Sequence, residues 1–229
     1  MKYDNIVEGI FLSRSNRFIA RVMIQGQEET VHVKNTGRCK ELLVPGAKVY
    51  LEHFPTGKRK TAYDLIAVEK GNLLINMDSQ APNKVVGEWL QKEEPFGKIS
   101  FLKAEYTHGD SRFDYYLEMG ARKLFLEVKG VTLEENGIVK FPDAPTERGV
   151  KHIKGLIDCL SEGYEAAIVF VVQLSGAKCF APNWQTQPEF GEMLVKSREA
   201  GVRILARECF VSPDSLTIAS EVTVNLERK

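Results

Sequence analysis

The sequence has no surplus of either charge: 31 Lys and Arg stand against 31 Asp and Glu in 229 residues. That balance excludes a globally basic nucleic-acid binder, though not a local basic patch. No run of about 18 apolar residues occurs, so no segment is expected to span a membrane. The opening residues Met1-Lys2-Tyr3-Asp4-Asn5 lack the basic stretch and apolar core of a secretory signal. The four cysteines, Cys39, Cys159, Cys179 and Cys209, form no C-x-x-C pair and offer no zinc-ligand spacing. They read as small buried hydrophobes in a reducing, cytoplasmic setting. His32, His53 and His108 also lack metal-ligand spacing. There is no internal repeat and no low-complexity segment.

What is present is an ordinary globular composition, 43% hydrophobic and 27% charged, which excludes a disordered or collagen-like chain. The length suits one large domain or two small ones. The patterning changes near residue 80, giving an expected division into residues 1–80 and 81–229. Residues 6–78 are short strand-like runs broken by turn residues. Residues 18–24, 29–33, 48–54, 63–69 and 73–77 read as strands, and residues 39–43 as a short helix. About five strands with short turns suit an OB-like β-barrel.

Two barrel loops carry cations. Lys58-Arg59-Lys60 follows Pro55-Thr56-Gly57 and suits a phosphate backbone, although a solvated hairpin tip has the same pattern. Asn35-Thr36-Gly37-Arg38 offers a turn whose amides suit an anion with Arg38 beside it. It also suits a strand-to-helix turn capped by Asn35 or Thr36. Phe11, Phe18, Tyr50, Phe54 and Tyr63 are interleaved with these charges, either to stack bases or to fill the barrel core.

The middle of the chain holds the candidate chemistry. Asn83 is placed as the N-cap of a helix carrying Val85, Val86, Trp89 and Leu90 on one face. Residues 99–106, 112–117 and 123–129 read as strands joined by hairpin turns. A polar loop, Glu134-Glu135-Asn136-Gly137, leads into Phe141-Pro142-Asp143-Ala144-Pro145. Thr146 then caps a helix with Val150, Ile153, Leu156, Ile157 and Leu160 on its inner face. Residues 165–172 form a near-continuous apolar strand of the kind buried on both sides.

Residues two apart in a strand share a face, so Glu127 and Lys129 emerge together. Asp114 lies on the preceding strand, and hairpin pairing brings it towards Glu127. Two converging carboxylates repel unless a divalent cation lies between them, and Mg²⁺ takes one or two carboxylates plus phosphate and water. An adjacent lysine orients water or steadies developing negative charge. Asp114, Glu127 and Lys129 therefore make a candidate phosphodiester-hydrolysing centre, with Asp114 and Glu127 as metal ligands and Mg²⁺ or Mn²⁺ as the cation. The same pattern fits three charges on a solvated sheet face, some of them salt-bridged. Glu88 extends the acidic set from the first helix or is a surface charge; Glu105 is a lesser candidate. Arg148 and Lys151 lie on the first turns of the second helix and suit DNA phosphate, or a solvated face. His152 borders the apolar stripe and reads as a packed histidine.

The last third is plainer. Residues 180–184 read as a loop and residues 188–200 as a helix with Gly201 as its C-cap. Residues 202–209 read as a strand that completes a βαβ crossover.

Five stretches together, Asn35-Thr36-Gly37-Arg38, Arg59-Lys60-Thr61, Ser111-Arg112-Phe113-Asp114, residues 127–133 (EVKGVTL) and residues 141–149 (FPDAPTERG), resemble the sugar fermentation stimulation protein A (SfsA) family. The resemblance spans essentially the whole chain. It implies a mixed α/β protein, with an N-terminal OB-fold domain and a C-terminal domain of the PD-(D/E)XK nuclease class. It also implies a cytoplasmic DNA-binding protein linked to control of sugar (maltose) metabolism; separately, no membrane partner is expected, and a homodimer is a candidate assembly. The nuclease-class residues fall on Asp114, Glu127 and Lys129, with Glu88 as the helix acid. Phe113 stands where that class often has proline. The candidate nucleic-acid contacts are Arg38, Lys58, Arg59, Lys60, Arg112, Arg148 and Lys151. Two readings follow, a DNA-binding protein without turnover and a Mg²⁺- or Mn²⁺-dependent DNA nuclease.

Overall fold

The computed structural model describes all residues except Thr36, Thr56, Lys58 and Lys229. The first part of the chain contains β1 (Ile6–Arg14), β2 (Ile19–Ile24), β3 (Gln27–Val33), β4 (Lys48–His53), β5 (Tyr63–Lys70) and β6 (Leu73–Asn76). Their order in the sheet is β3-β2-β1-β4-β5-β6, and a β3–β5 pairing at His32↔Asp64 and Val33↔Leu65 closes five of them into a barrel. Closure removes the exposed edges that an open sheet of this size would leave. Alternation fills the interior: Ala20, Val22 and Ile24 of β2 and Val31 and Val33 of β3 point inward, while Arg21 and Thr30 stay in solvent. Residues 39–43 form a single turn rather than the expected helix, with Leu43 N–H donating to the Cys39 carbonyl at 2.9 Å. Cys39 there has φ +45°, which an α-helix does not accommodate.

The rest of the chain runs α1 (Ala81–Glu93), β7 (Phe101–His108), β8 (Ser111–Met119), β9 (Arg122–Val131), β10 (Leu133–Glu135), β11 (Ile138–Phe141), α2 (Glu147–Ser161), β12 (Glu165–Val172), β13 (Cys179–Pro182), α3 (Pro188–Ala200), β14 (Arg203–Ser212) and β15 (Ser215–Glu221). A six-stranded mixed sheet has the order β15-β14-β12-β9-β8-β7. β9, β12 and β14 run parallel, and antiparallel hairpins flank them on each side. Parallel neighbours need long crossovers, which α2 and α3 supply. α1 covers one face through Val85, Val86, Trp89 and Leu90 against Leu117, Leu126 and Val128. α2 and α3 cover the other through Val150, Ile153, Leu156, Phe190 and Leu194 with Phe125 and Phe170, in a core continuous with the barrel interior. β12, sandwiched between both layers, is buried from Ala166 to Val172. Among the described residues no helix is long and apolar enough to cross a membrane.

Two stretches expected as loops are strands. Glu134 and Glu135 end β10, and Asn136-Gly137 form the turn of the β10–β11 hairpin, with Asn136 at φ +56° and Gly137 at φ +86°. Two successive left-handed residues make the primed turn that matches strand twist, so Asn-Gly is the local cause. Residues 179–182 form β13, parallel to β11.

The two halves meet on buried polar groups. Asp78, wholly buried, accepts from Lys34 Nζ at 2.7 Å, from the Tyr3 hydroxyl at 3.2 Å and from Gln80 N–H at 2.9 Å. Gln173, at the end of β12, donates to Asn76 Oδ1 and the Asp78 carbonyl. Burial next to Asp78 pushes the Tyr3 hydroxyl far above its ordinary pKa, so it stays a donor. A buried pair that loses one partner leaves the other charge uncompensated. Asp78→Ala is therefore expected to lower the unfolding free energy by about 3–5 kcal/mol in a urea titration. A loss below about 0.5 kcal/mol, the range of ordinary surface substitutions, would show that the halves are joined by apolar packing alone.

Candidate functional site

β8 and β9 pair from Met119↔Arg122 to Tyr115↔Leu126 and then part. Beyond that point β8 continues beside β7 back to Ser111, and β9 continues beside β12 as far as Val131. Asp114 sits where the fork opens. Its Oδ2 accepts from the Val128 N–H at 2.8 Å, capping a β9 amide that β8 no longer reaches. Its Oδ1 accepts from Asn83 Nδ2 at 2.7 Å. Asn83 is thus not the N-cap of α1. The helix starts one turn earlier, after Gln80, with Pro82 in its first turn, where the missing N–H is harmless. The Asn83 side chain is left to hold Asp114, and the Asn83 carbonyl accepts from the Tyr115 hydroxyl at 2.6 Å.

Glu127 and Lys129 project from β9 to the α2 side. Glu127 is 1% exposed, a carboxylate in the middle of a sheet. Its Oε1 accepts from Lys129 Nζ and from His152 Nδ1. Thr146 sets the phase of α2 by accepting from the Gly149 N–H at 2.9 Å, and that phase turns His152 inward. Arg148 Nε, one turn before His152, donates to His152 Nε2 at 3.3 Å. A ring whose Nε2 accepts has Nδ1–H as its donor, so the neutral tautomer fits both contacts. Glu127 Oε2 is buried and has no hydrogen-bond partner among the described residues.

The two carboxylates are pushed in opposite directions. Burial, and then the neighbouring Glu127 charge, raise Asp114 above the ordinary aspartate value. Burial also acts to raise Glu127, but the hydrogen bond from His152 and the Lys129 charge outweigh it, and Glu127 is held below the ordinary glutamate value. Pairs driven apart in this way mark sites where a charge is stabilised at the expense of its neighbour.

The structure therefore brings Asp114, Glu127 and Lys129 to one fork. It does not bring Glu88 there. That carboxylate is exposed and pairs with the N-terminal ammonium of Met1 at 2.8 Å. Five residues after Asn83, it lies about 140° further round the helix, so the two side chains cannot serve one spot. Glu105 is also exposed and pairs with Arg112 at 3.3 Å.

Of the expected nucleic-acid contacts, Arg148 and Lys151 are exposed on α2 beside the fork, and Arg112 is exposed on β8. Arg38 and Lys60 are exposed on the barrel, and Lys58 lies outside the described residues. Arg59 is spoken for: it pairs with buried Asp64 at 2.5 Å and lies over the Phe54 ring at 4.1 Å.

Three site residues escape sequence reasoning. His152, expected as a packed histidine, is buried, but against a carboxylate rather than an apolar wall. Its position three residues after Gly149 at a capped helix start is the one local signal of that role. Asn83 has the residue type of a cap and serves instead as a side-chain donor, and Gln173 carries no distinguishing pattern. No local pattern marks an amide that reaches across domains.

Known proteins share this architecture. The family model described as "SfsA N-terminal OB domain" matches residues 12–77, and that described as "Sugar fermentation stimulation protein RE domain" matches residues 80–215. A "Sugar fermentation stimulation protein homolog" from Desulfitobacterium hafniense is 56% identical over 226 residues, covering 99% of each chain. One from Clostridium beijerinckii is 54% identical, covering 99% of this chain and all of the other. The solved structure of Pyrococcus furiosus SfsA in complex with Ca²⁺ superposes with a TM-score of 0.87, at 32% identity and 98% coverage of both chains.

Ionising Asp114 opposes folding, because its folded-state pKa lies above the unfolded one. Stability is lost as pH rises from the ordinary aspartate value through the folded value. Asp114→Asn keeps an acceptor for Val128 N–H and can donate to a flipped Asn83 amide. It is expected to raise the melting temperature by a few degrees at pH 7 and to leave it unchanged near pH 3, read by calorimetry. A variant less stable than wild type at pH 7 would contradict the charge conflict.

Proposed function

The chain belongs to the sugar fermentation stimulation protein (SfsA) family, and we propose that it is a divalent-metal-dependent phosphodiesterase acting on DNA. The observation that carries this reading is the buried, unpartnered Glu127 Oε2 beside the ionised-state conflict of Asp114. An orphaned carboxylate oxygen at a second carboxylate is relieved by a cation, and an all-oxygen donor pair suits Mg²⁺ or Mn²⁺. The Pyrococcus furiosus relative, solved in complex with Ca²⁺, supports a site for a hard cation.

Asp114 and Glu127 would hold the ion, which supplies Lewis-acid polarisation of a phosphoryl oxygen and a more acidic water. The chain's own residues do the rest. Val128 N–H and Asn83 fix the Asp114 carboxylate in its ionised orientation. His152 and Lys129 occupy Glu127 Oε1, so Oε2 is the oxygen left without a partner among the described residues. The Lys129 ammonium, half-buried at the same place, offsets negative charge developing on the phosphorane. Arg148 and Lys151 flank the fork and suit the phosphates on either side. The OB barrel, a fold used for oligonucleotides, supports DNA as the polymer.

A second reading, DNA binding without turnover in control of sugar metabolism, is favoured by one observation. Among the described residues no cluster of three His, Cys, Asp or Glu side chains is placed to hold a metal. Two assays separate the readings. Under the enzyme reading, wild type cleaves DNA in Mn²⁺, and Lys129→Met lowers the rate by about 100-fold or more while DNA affinity stays within a few-fold. Identical DNA profiles for wild type and Lys129→Met across Mg²⁺, Mn²⁺, duplex and single strand would refute it. Under either reading, Lys60→Glu and Lys151→Glu should each flatten the salt dependence of DNA binding, by about 0.9 in slope for each phosphate that is no longer neutralised. Unchanged slopes would remove these faces from the DNA path.

A further inference from the structure

A cleft of about 310 Å³ lies between the barrel and the C-terminal domain. Asn35, Gly37, Gly130, Thr132, Gln173 and residues 141–146 line it, with the Gly37 backbone close beside the Asp143 carboxylate. Asp114, Glu127 and Lys129 do not line it, so it is separate from the fork, yet it is close. Gly130 follows Lys129 directly and lies about 10 Å along β9 from Glu127. Thr146, on its rim, caps the helix that carries His152 to Glu127.

The cleft's amide, ammonium and Ser79 hydroxyl donors are already engaged, while the Thr132 and Thr146 hydroxyls have no acceptor among the described residues. Asn35 Nδ2 donates to the Met77 carbonyl, Ser79 Oγ to the Lys34 carbonyl, and Gln173 Nε2 to Asn76 and Asp78. Lys140 Nζ is paired with Glu135, and the Gly37 N–H is bound by Asn35 Oδ1. Two acceptors are not used: among the described residues, nothing donates to the Asp143 carboxylate or to Gln173 Oε1. An acceptor-rich cleft repels phosphate and selects a ligand that brings N–H or O–H donors. Val131, Leu133, Pro142 and Pro145 supply apolar surface beside those acceptors. The volume equals that of about ten waters, which suits one nucleoside and not a base pair in its duplex.

Resting on the DNA reading above, we propose that this cleft takes a single unpaired nucleoside of the bound strand, through a base edge rich in N–H donors, guanine foremost. Guanine presents an N1–H and an N2 amino group side by side, the arrangement two carboxylate oxygens accept together. Thymine has one N–H, and adenine and cytosine have only an amino group. A flipped or single-stranded base read on its Watson–Crick edge and held against apolar walls is a recurrent mode. The nucleotide adjoining the phosphate at the fork is the one in reach. Two glycines keep the acceptors clear. A Cβ on Gly37 would lie 2.5 Å from Asp143 Oδ2, and one on Gly130 would lie 2.5 Å from Gln173 Oε1.

The test is calorimetric titration of the full-length protein with dGMP, dAMP, dCMP, dTMP and glucose, without divalent metal, alongside DNA binding by anisotropy. dGMP is expected to bind at least about tenfold more tightly than dTMP. The isosteric Asp143→Asn should abolish that preference at a near-native melting temperature. Equal affinity for the four nucleotides, an unchanged preference in Asp143→Asn, or tighter binding of glucose would overturn the assignment. Absence of dGMP binding in a protein that still binds or cuts DNA would overturn the cleft alone. A protein that binds neither nucleotide nor DNA would overturn the underlying reading with it.

Discussion

A carboxylate buried in the centre of a β-sheet has to be compensated, and most of the C-terminal domain is arranged around that requirement. Burying an isolated charge costs several kcal/mol even after relaxation. Glu127 meets the requirement on one oxygen only, through a lysine two residues along its own strand and a histidine from α2. The histidine faces inward because Thr146 starts the helix where it does. The second oxygen is left without a partner among the described residues, and the nearby carboxylate, Asp114, is pressed upward in pKa by burial and then by the Glu127 charge. Such a conflict is a poor way to stabilise a fold and marks a site whose charge arrangement serves something other than stability.

The fork between β8 and β9 follows from the same neighbourhood. Strand pairing ends at Tyr115↔Leu126, and the freed Val128 N–H is satisfied by a side chain rather than a strand. Buried amides are almost always paired, so Asp114 has a backbone duty as well as a chemical one. This double use explains how two interior strands can part without leaving the Val128 amide unsatisfied.

The barrel is part of this architecture rather than an appendage. Its interior is continuous with the α2 and α3 side of the sheet, and Asp78, Lys34, Tyr3 and Gln173 tie the junction with buried polar contacts. Arg14 serves the same junction from within the barrel. Its guanidinium donates to the carbonyls of Arg17, Asn35, Gly37 and Arg38, which shapes the turn facing Asp143. A planar five-donor fork is the side chain able to hold several carbonyls at once. The interdomain cleft lies between this turn, tied to β1 by Arg14, and the segment at residues 141–146, whose Phe141 packs on Phe170 and Phe190.

Periodicity and local chemistry determined much of this protein. The period-2 runs of the barrel, the inner face of α2, the Thr146 cap, the apolar β12, and α3 with Gly201 at φ +110° were legible because each depends on neighbours within a few residues. That Glu127 and Lys129 share a face was legible from the pleat, whereas Asp114 comes near them by its side-chain bond to Val128 N–H after the strands part, not by hairpin register. The sequence did not reveal β1 as the strand that β2 and β4 flank, nor β13, β15, the Asn136-Gly137 hairpin or the true start of α1. Pairing partners for those elements come from distant parts of the chain, and weak local patterns leave them open. Glu88 shows the limit most plainly: its residue type suited an acidic centre, but helix rotation carried it to the N-terminus of the chain instead. Which oxygen of Glu127 is bound, which histidine binds it and which amides cross between domains were decided by tertiary packing alone, because only the folded chain brings residues 76, 83, 114, 127, 152 and 173 within hydrogen-bond distance of their partners.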